Sequence, residues 1–183
     1  MPDEPPQSFF SNLKNLFSLN KKTAEVAKHI EPEDERIEEL IENVLSIKDS
    51  VVKEIMIPKV TISYITESDS LEHVYSVVNN TKHSRYPVFN SDKDKVIGIL
   101  HVKDMLGAIK KDGFSLSSIL REAKHIPESQ SVTSLLEDFK KDKAHLAIVL
   151  DEYGVISGLI TIEDILEEIV GEIEDEFYEE KNN

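Results

Sequence analysis

The sequence predicts an α/β (α+β) protein made of two copies of one unit, each running strand–helix–strand–strand–helix, behind a helical extension. Three observations predict this. A β-branched run, Val155 to Thr161, gives way at once to Ile162, Ile165, Leu166 and Ile169 at helical spacing, so the apolar period changes from strand-like to 3.6 within one residue. A displacement of 60 residues lays Val96-Ile-Gly-Ile-Leu-His-Val-Lys-Asp-Met-Leu106 on Ile156-Ser-Gly-Leu-Ile-Thr-Ile-Glu-Asp-Ile-Leu166, with Gly98, Asp104 and Leu106 recurring as Gly158, Asp164 and Leu166. The same displacement continues upstream without a gap, so Tyr86-Pro-Val-Phe89 falls on Leu146-Ala-Ile-Val149 and Arg85 on His145. Further upstream, after a slip of one residue, Leu71, Val74 and Val78 match Val132, Leu135 and Phe139. A pattern that returns at a fixed interval of this size marks a tandem repeat.

Taken in order, the chain opens with an acidic, proline-containing stretch, Met1 to Ser8, that reads as disordered. Phe9, Phe10, Leu13, Leu16 and Phe17 then share one helical face, suited to a membrane surface or a partner helix, or else to an arm packed on its own domain. From Glu33 to Ser46, Ile37, Leu40, Ile41, Val44 and Leu45 repeat at helical intervals with acids outward, which predicts an amphipathic helix. Asp49-Ser50 caps a short helix, Val51 to Ile57, stopped by Pro58. In the first repeat, Val60 to Ile65 reads as a strand and Ser68-Asp69-Ser70 as a cap on the helix Leu71 to Asn80. Arg85 to Phe89 and Val96 to Val102 are strands around a polar turn, and Lys103 to Lys110 is a helix ended by Asp112-Gly113. In the second, His125 to Pro127 begins a strand and Ser131 to Lys141 is a helix. His145 to Leu150 and Val155 to Thr161 are strands, and the helix Ile162 to Val170 is closed by Gly171. The expected division is an arm over 1–32, N-terminal helices over 33–57, repeats over 58–113 and 114–171, and an acidic tail over 172–183.

Composition narrows the function classes. A net charge of −15, from 21 basic and 36 acidic residues, opposes a nucleic-acid surface, so an anionic ligand must find a local basic patch. The absence of cysteine removes disulfides and thiolate metal sites, and the histidines at 29, 73, 83, 101, 125 and 145 form no His-x-x-x-His pair, so no metal site is expected. Apolar runs fall short of the roughly 18 residues needed to span a bilayer, and no signal peptide is visible. There is no phosphate-binding glycine loop, dinucleotide fingerprint or nucleophile elbow, nor a matched acid–base pair, which points to a binding module rather than an enzyme.

One junction carries chemistry. Thr161 and Asp164 stand three apart where a strand enters a helix whose first N–H groups lack helical partners. A hydroxyl and a carboxylate there suit a small polar ligand, and the same spacing suits a capping box that satisfies only the backbone. Arg85 is one of three arginines, with Arg36 and Arg121, and its planar fork suits phosphate, or else a rim ion pair with the acidic surface.

The two units, each ending in Gly-apolar-apolar-x-apolar-x-Asp, resemble a tandem pair of cystathionine-β-synthase (CBS) domains, also called a Bateman module. Ile55-Met-Ile-Pro-Lys59, His83-Ser-Arg-Tyr-Pro-Val88, Ala147-Ile-Val-Leu-Asp-Glu-Tyr-Gly154 and Gly158-Leu-Ile-Thr-Ile-Glu-Asp-Ile-Leu-Glu-Glu-Ile-Val-Gly-Glu-Ile-Glu-Asp-Glu176 are similar to the bacterial CorC/hemolysin C-like family, associated with magnesium and cobalt efflux. The resemblance implies pseudo-twofold-related repeats and an adenine nucleotide (AMP, ADP or ATP, with or without Mg²⁺) in the cleft between them. It implies that Asp164 binds the ribose hydroxyls, that Thr161 binds the ribose or first phosphate, and that Arg85 faces the phosphates. Tyr86, Pro87 and His145 would line the base or phosphate end, and His101 with Asp104 would form a weaker second site. It further implies a homodimer, a membrane transporter as partner, and a cytoplasmic place, peripheral at the inner face of the membrane. Family members carry a second glycine where Val155 stands and usually continue into a further C-terminal domain. The competing reading is a structural or oligomerisation module in which both Asp motifs only cap helices.

Overall fold

A computed structural model describes residues 35–108 and 115–171. The apolar arm at Phe9 to Phe17, the Asp112-Gly113 stop and the acidic tail lie outside the described residues. The elements in order are α1 (Glu35–Asp49), α2 (Val52–Ile55), β1 (Ile57–Pro58), a 3₁₀ turn (Lys59–Thr61), β2 (Ile65–Thr66), α3 (Leu71–Thr81), β3 (Arg85–Phe89), β4 (Val96–His101) and α4 (Val102–Ala108). A second 3₁₀ turn (Leu116–Ile119) is followed by β5 (Lys124–Pro127), α5 (Val132–Asp142), β6 (Leu146–Leu150), β7 (Ile156–Thr161) and α6 (Ile162–Val170). Two mixed sheets result, β2-β3-β4 and β1-β7-β6-β5, in which β2–β3 and β5–β6 are parallel and the hairpins antiparallel.

The repeats are built alike down to their caps. Ser70 and Ser131 accept the N–H of His73 and Ser134 at the starts of α3 and α5. Those helices end on Lys82 and Lys143, both left-handed at φ 56° and 51°. The sequence alignment needs one correction. Ile65, Ser70, Leu71 and Lys82 correspond to Ile126, Ser131, Val132 and Lys143, a displacement of 61, whereas Gly98 and Asp104 correspond to Gly158 and Asp164, a displacement of 60. The slip lies in the hairpin turn. Asn90 N–H donates to Lys95 in the first turn and Asp151 N–H to Val155 in the shorter second one. Arg85 therefore corresponds to Leu146, and His145 to Ser84. The carbonyls of Ser84 and His145 accept the N–H of Val102 and Ile162 alike. The turn at Val155 closes without a second glycine, because only Gly154 takes positive φ (77°) and Asp151 Oδ1 accepts the N–H of Tyr153 and Val155.

Each repeat also borrows the segment that leads into the other. Ile57 and Pro58 pair with Leu159 and Gly158 of repeat 2, and α1 packs Val44 and Ile47 into repeat 2's core with Val132, Leu135, Phe139, Ile165 and Ile169. Arg121, ahead of β5, pairs with Ile99 of repeat 1 through two backbone hydrogen bonds of 2.8 and 3.0 Å, while Leu116, Ile119 and Leu120 pack on repeat 1's core. The crossings explain the recurring glycines. A Cβ on Gly158 would overlap the Ile57 carbonyl oxygen, and one on Gly98 would sit 2.9 Å from the Arg121 carbonyl oxygen. Between the sheets, Ile62, Phe89 and Ile99 meet Leu146, Ile148, Ile156 and Leu159 in one buried cluster, so the two units share a core.

Near the first crossing the expected elements change. Val60 to Ile65 is not a strand. Thr61 Oγ1 donates to the Pro58 carbonyl (2.9 Å), a 3₁₀ turn follows the crossing, and Val60 is left 92% exposed. The apolar run there reflects two separate contacts, Ile62 in the cluster between the sheets and Ile65 in the core of repeat 1, rather than one buried strand. Likewise α1 runs on to Asp49, and Ser50 caps nothing after it. Its Oγ donates back to Ser46, and the start of α2 is held instead by Glu54 accepting the Val51 N–H at 3.1 Å.

Candidate functional site

The two hairpins end in the same place on the inter-repeat face. On β3 and β4, Arg85 stands opposite His101; on β6 and β7, Leu146 stands opposite Thr161. Alternation puts these residues on the face shared with Phe89, Ile99, Ile148 and Leu159, at the edge of the interface cluster, where each hairpin runs straight into a helix.

At the second junction Thr161 caps α6. Its Oγ1 accepts the Asp164 N–H (3.2 Å), and Asp164 Oδ2 accepts both the Thr161 N–H (2.6 Å) and the Thr161 hydroxyl (2.7 Å). The reciprocal cap is therefore formed. It uses only Oδ2; among the described residues Oδ1 makes no hydrogen bond. Burial raises the Asp164 pKa above the ordinary carboxylate value despite the Thr161 bonds, and the neighbouring Glu163 charge adds to the rise. Oδ1 is left available to a donor from a ligand or from solvent.

Arg85 reaches this junction from the other repeat. Its Nη1 lies 3.9 Å from Glu163 Oε1, and Glu163 sits between Thr161 and Asp164 in the first turn of α6. Its Nε is buried with no hydrogen-bond partner. Arg85 and His101 line two cavities. The larger, about 620 Å³, is walled by α3 and the β4–α4 junction and carries Lys82, His83, Lys103 and Glu163. The smaller, about 220 Å³, lies between the repeats and carries Arg121, Lys124, Lys143 and His145. Both linings hold more cations than acids, although the smaller also carries Glu122 and Asp142, with Lys124 paired to Asp142 (2.6 Å) and Arg121 to Asp104 (2.8 Å).

The first junction has the same plan and different chemistry. Asp104 is held by Arg121 through Nε at 2.8 Å and Nη2 at 3.2 Å, a two-pronged ion pair. Burial pushes the His101 pKa down to about 4, and Arg121 and Arg85 push it the same way, so the ring is neutral near pH 7.

Of the residues singled out in the sequence, Arg85, His101 and His145 line the cavities, whereas Thr161 and Asp164 line neither of the two. Arg85 and the Thr161–Asp164 turn converge through Glu163. Tyr86 does not reach a cavity. It is fully buried in the core of repeat 1, its hydroxyl paired with Thr81 Oγ1 (2.6 Å) and the His83 N–H (2.9 Å). Pro87 is also buried, paired in register with Ile99. Lys82, Lys103, Glu163 and Arg121 join the site without having been singled out, and only the scarcity of arginine pointed at the last. Among the described residues no group of three or more His, Cys, Asp or Glu is placed to hold a metal ion, and no helix is long and apolar enough to cross a membrane.

Two mixed sheets exchanging their lead-in segments, with a strand-to-helix carboxylate at each junction, define a tandem CBS-domain pair, and the CBS domain family model matches residues 52–111 and 116–171. The chain is 44% identical over 150 residues to the magnesium and cobalt efflux protein CorC of Pasteurella multocida, covering 81% of this chain and 50% of that protein. It is 44% identical over 149 residues to CorC of Escherichia coli K12 (80% and 51%), and 40% identical over 184 residues to CorC of Vibrio cholerae (96% and 63%). The chain spans about half the length of the first two of these relatives. Among solved structures, the CBS domain of the bacterial CNNM/CorC family Mg²⁺ transporter in complex with ATP superposes with a TM-score of 0.69 at 36% identity, over 75% of this chain and 99% of that one. A CBS-domain pair with bound AMP from Klebsiella pneumoniae gives a TM-score of 0.59 at 29% identity, over 67% and 100%. The chain belongs to the CorC/hemolysin C-like magnesium and cobalt efflux family, as its tandem CBS-domain region.

Proposed function

We propose that this pair is a regulatory module that binds an adenine nucleotide between its repeats and reports its presence to a membrane transporter of divalent cations. The observation that carries the reading is the Arg85–Glu163 contact, which sets a guanidinium of repeat 1 beside the Thr161–Asp164 turn of repeat 2. A ribose hydroxyl would donate to Asp164 Oδ1, the oxygen the cap leaves unused, and relieve its desolvation. Thr161 would hold the ribose or the first phosphate. Arg85, loosely paired at 3.9 Å and with a buried Nε to satisfy, would turn to the phosphates, with Lys82 and Lys103 next along the larger cavity. Relatives captured with ATP and with AMP support the ligand class.

Binding acts by population shift. A ligand gripping Arg85 on one repeat and Asp164 on the other favours whichever packing of the repeats lets it reach both. Mg²⁺ would arrive with the phosphates rather than in a protein cage. The module works as a non-hydrolysing homodimer at the cytoplasmic side of the membrane. The purely structural alternative draws on the fully formed Thr161–Asp164 cap.

A thermal-shift series with AMP, ADP, ATP and ATP–Mg²⁺ separates the two readings. A bound nucleotide at 100 times its dissociation constant stabilises by about 2.7 kcal/mol, whereas a capping-only module shows no shift with any of them. The ATP–Mg²⁺ samples should release phosphate no faster than buffer and scatter light as a dimer. Robust hydrolysis, or a monomer's mass, would remove those parts of the proposal.

A further inference from the structure

The two junction carboxylates differ in one neighbour, and that neighbour comes from the crossing segment. Arg121 pairs with Ile99 as Ile57 pairs with Leu159, and Ile99 corresponds to Leu159, so Arg121 and Ile57 hold equivalent positions opposite the two junctions. We infer that Arg121 is a built-in occupant of the first junction: its guanidinium takes the place on Asp104 that a ribose takes on Asp164, and this limits the chain to one adenine nucleotide. The inference rests on the nucleotide reading above and names the residue that sets its stoichiometry.

The geometry is fixed by backbone rather than by chance of rotamer. Arg121 is tied to Ile99 by both its N–H and its carbonyl, and the close approach over Gly98 sets the depth of the crossing. From there the side chain spans to Asp104 with both carboxylate oxygens engaged, Oδ2 by Nε and Oδ1 by Nη2. An ionised, two-pronged partner fills both oxygens, so a ribose diol reaches them only by displacing the arginine. At the second junction the equivalent residue is aliphatic, Ile57 offers no donor, and Asp164 keeps Oδ1 open. Arg121 also adds to the pressure that keeps His101 neutral, so the first junction loses a cation that would otherwise attract phosphate. The arginine is half-exposed and its backbone bonds do not depend on its side chain, so replacing it spares the fold.

Calorimetric titration of the full chain with ATP–Mg²⁺ at pH 7.5 tests this. The wild-type chain should give one equivalent. Arg121→Ile should give two, the added one disappearing in Arg121→Ile/Asp104→Asn while the first persists. The converse change, Ile57→Arg, should weaken the wild-type equivalent at least tenfold in a chain whose cooperative melting shows it folded. A stoichiometry that stays at one in Arg121→Ile overturns the inference, as does a wild-type chain that already binds two nucleotides, one lost on Asp104→Asn. If the wild-type chain binds none, the nucleotide reading of Thr161 and Asp164 fails. An Asp104-dependent equivalent gained by Arg121→Ile would still uphold the role of Arg121.

Discussion

The junction of repeat 1 and the junction of repeat 2 share a backbone and divide the chemistry. Both end a hairpin on the inter-repeat face, both lie beside a crossing segment, and both require a glycine where that segment passes. At the first, the crossing residue is an arginine that neutralises the carboxylate and the hairpin ends in a histidine kept neutral. At the second, the crossing residue is an isoleucine, and a half-buried carboxylate is left with one oxygen unbonded. Duplication of a fold fixes what the main chain demands, namely caps, crossings and close approaches. The side chains that point into the cleft are not bound by those demands, and there the copies have taken separate roles.

The largest expected effect tests the shared backbone. Gly158→Ala would drive a Cβ into the Ile57 carbonyl, with Met56 Sδ only 3.0 Å away, and should cost about 3 kcal/mol. At Gly98 the obstacles are the Leu120 Cβ at 2.8 Å and the Arg121 carbonyl at 2.9 Å, so Gly98→Ala should cost less, about 2 kcal/mol. Denaturant titrations measure both. Equal losses, or a greater loss at Gly98, would mean that the crossing at Ile57 is at least as adjustable as the one at Arg121.

The carboxylates give the next effect, and here the copies should diverge in kind. Asp164→Asn keeps the shape of the cap and removes a charge-assisted acceptor worth roughly 1.5–3 kcal/mol, so nucleotide affinity should fall between about tenfold and a hundredfold. Asp104→Asn breaks the pair with Arg121, half-exposed on the arginine's side, and should leave affinity unchanged, with stability lowered by under about 1 kcal/mol. Calorimetry on the two variants side by side is the measurement. An equal loss of affinity in both would erase the distinction between the junctions.

Much of this was legible in the sequence because it is written in period and position. The hairpins, the caps at Ser70 and Ser131, the helix Ile162 to Val170 and the Thr161–Asp164 turn are local features, set by neighbours three or four residues apart. What the sequence concealed is non-local. Val60 to Ile65 reads as a strand because Ile62 and Ile65, buried in separate clusters, belong to one β-branched run, and nothing local says that Val60 faces solvent. The family resemblance places Tyr86 at the site, yet alternation along β3 turns it into the core. The slip of one residue sits in the hairpin turn, where composition is polar in both copies and a missing residue leaves no trace in the apolar pattern. Arg121 was invisible as a site residue because its partner is 17 residues away and its role depends on a segment crossing between repeats.

The smallest effect concerns acid, and the two junctions should respond to it with opposite signs. Burial holds the His101 pKa down at about 4 in the folded chain, against an ordinary histidine value of 6.5. Between those values the unfolded chain binds a proton that the folded chain refuses, so the stabilising effect of neutral His101 is complete above about pH 6.5 and is lost as pH falls toward 4. At roughly 1.4 kcal/mol per pH unit the ceiling is about 3 kcal/mol, and because the ring is partly exposed, solvent screening reduces it to about 1 kcal/mol. Asp164 runs the other way. Its folded pKa is raised, so the folded chain takes up this proton before the unfolded one does, and acidification relieves a desolvated charge rather than creating one. Melting temperatures from pH 7.5 to 4.5 should therefore fall more steeply for the wild-type chain than for His101→Gln, which has no ring to protonate. Asp164→Asn, which has no carboxylate to relieve, should fall more steeply than the wild-type chain. If His101→Gln tracks the wild-type chain across that range, the first junction does not hold its histidine neutral. The difference between the two clefts would then rest on the Arg121–Asp104 pair alone.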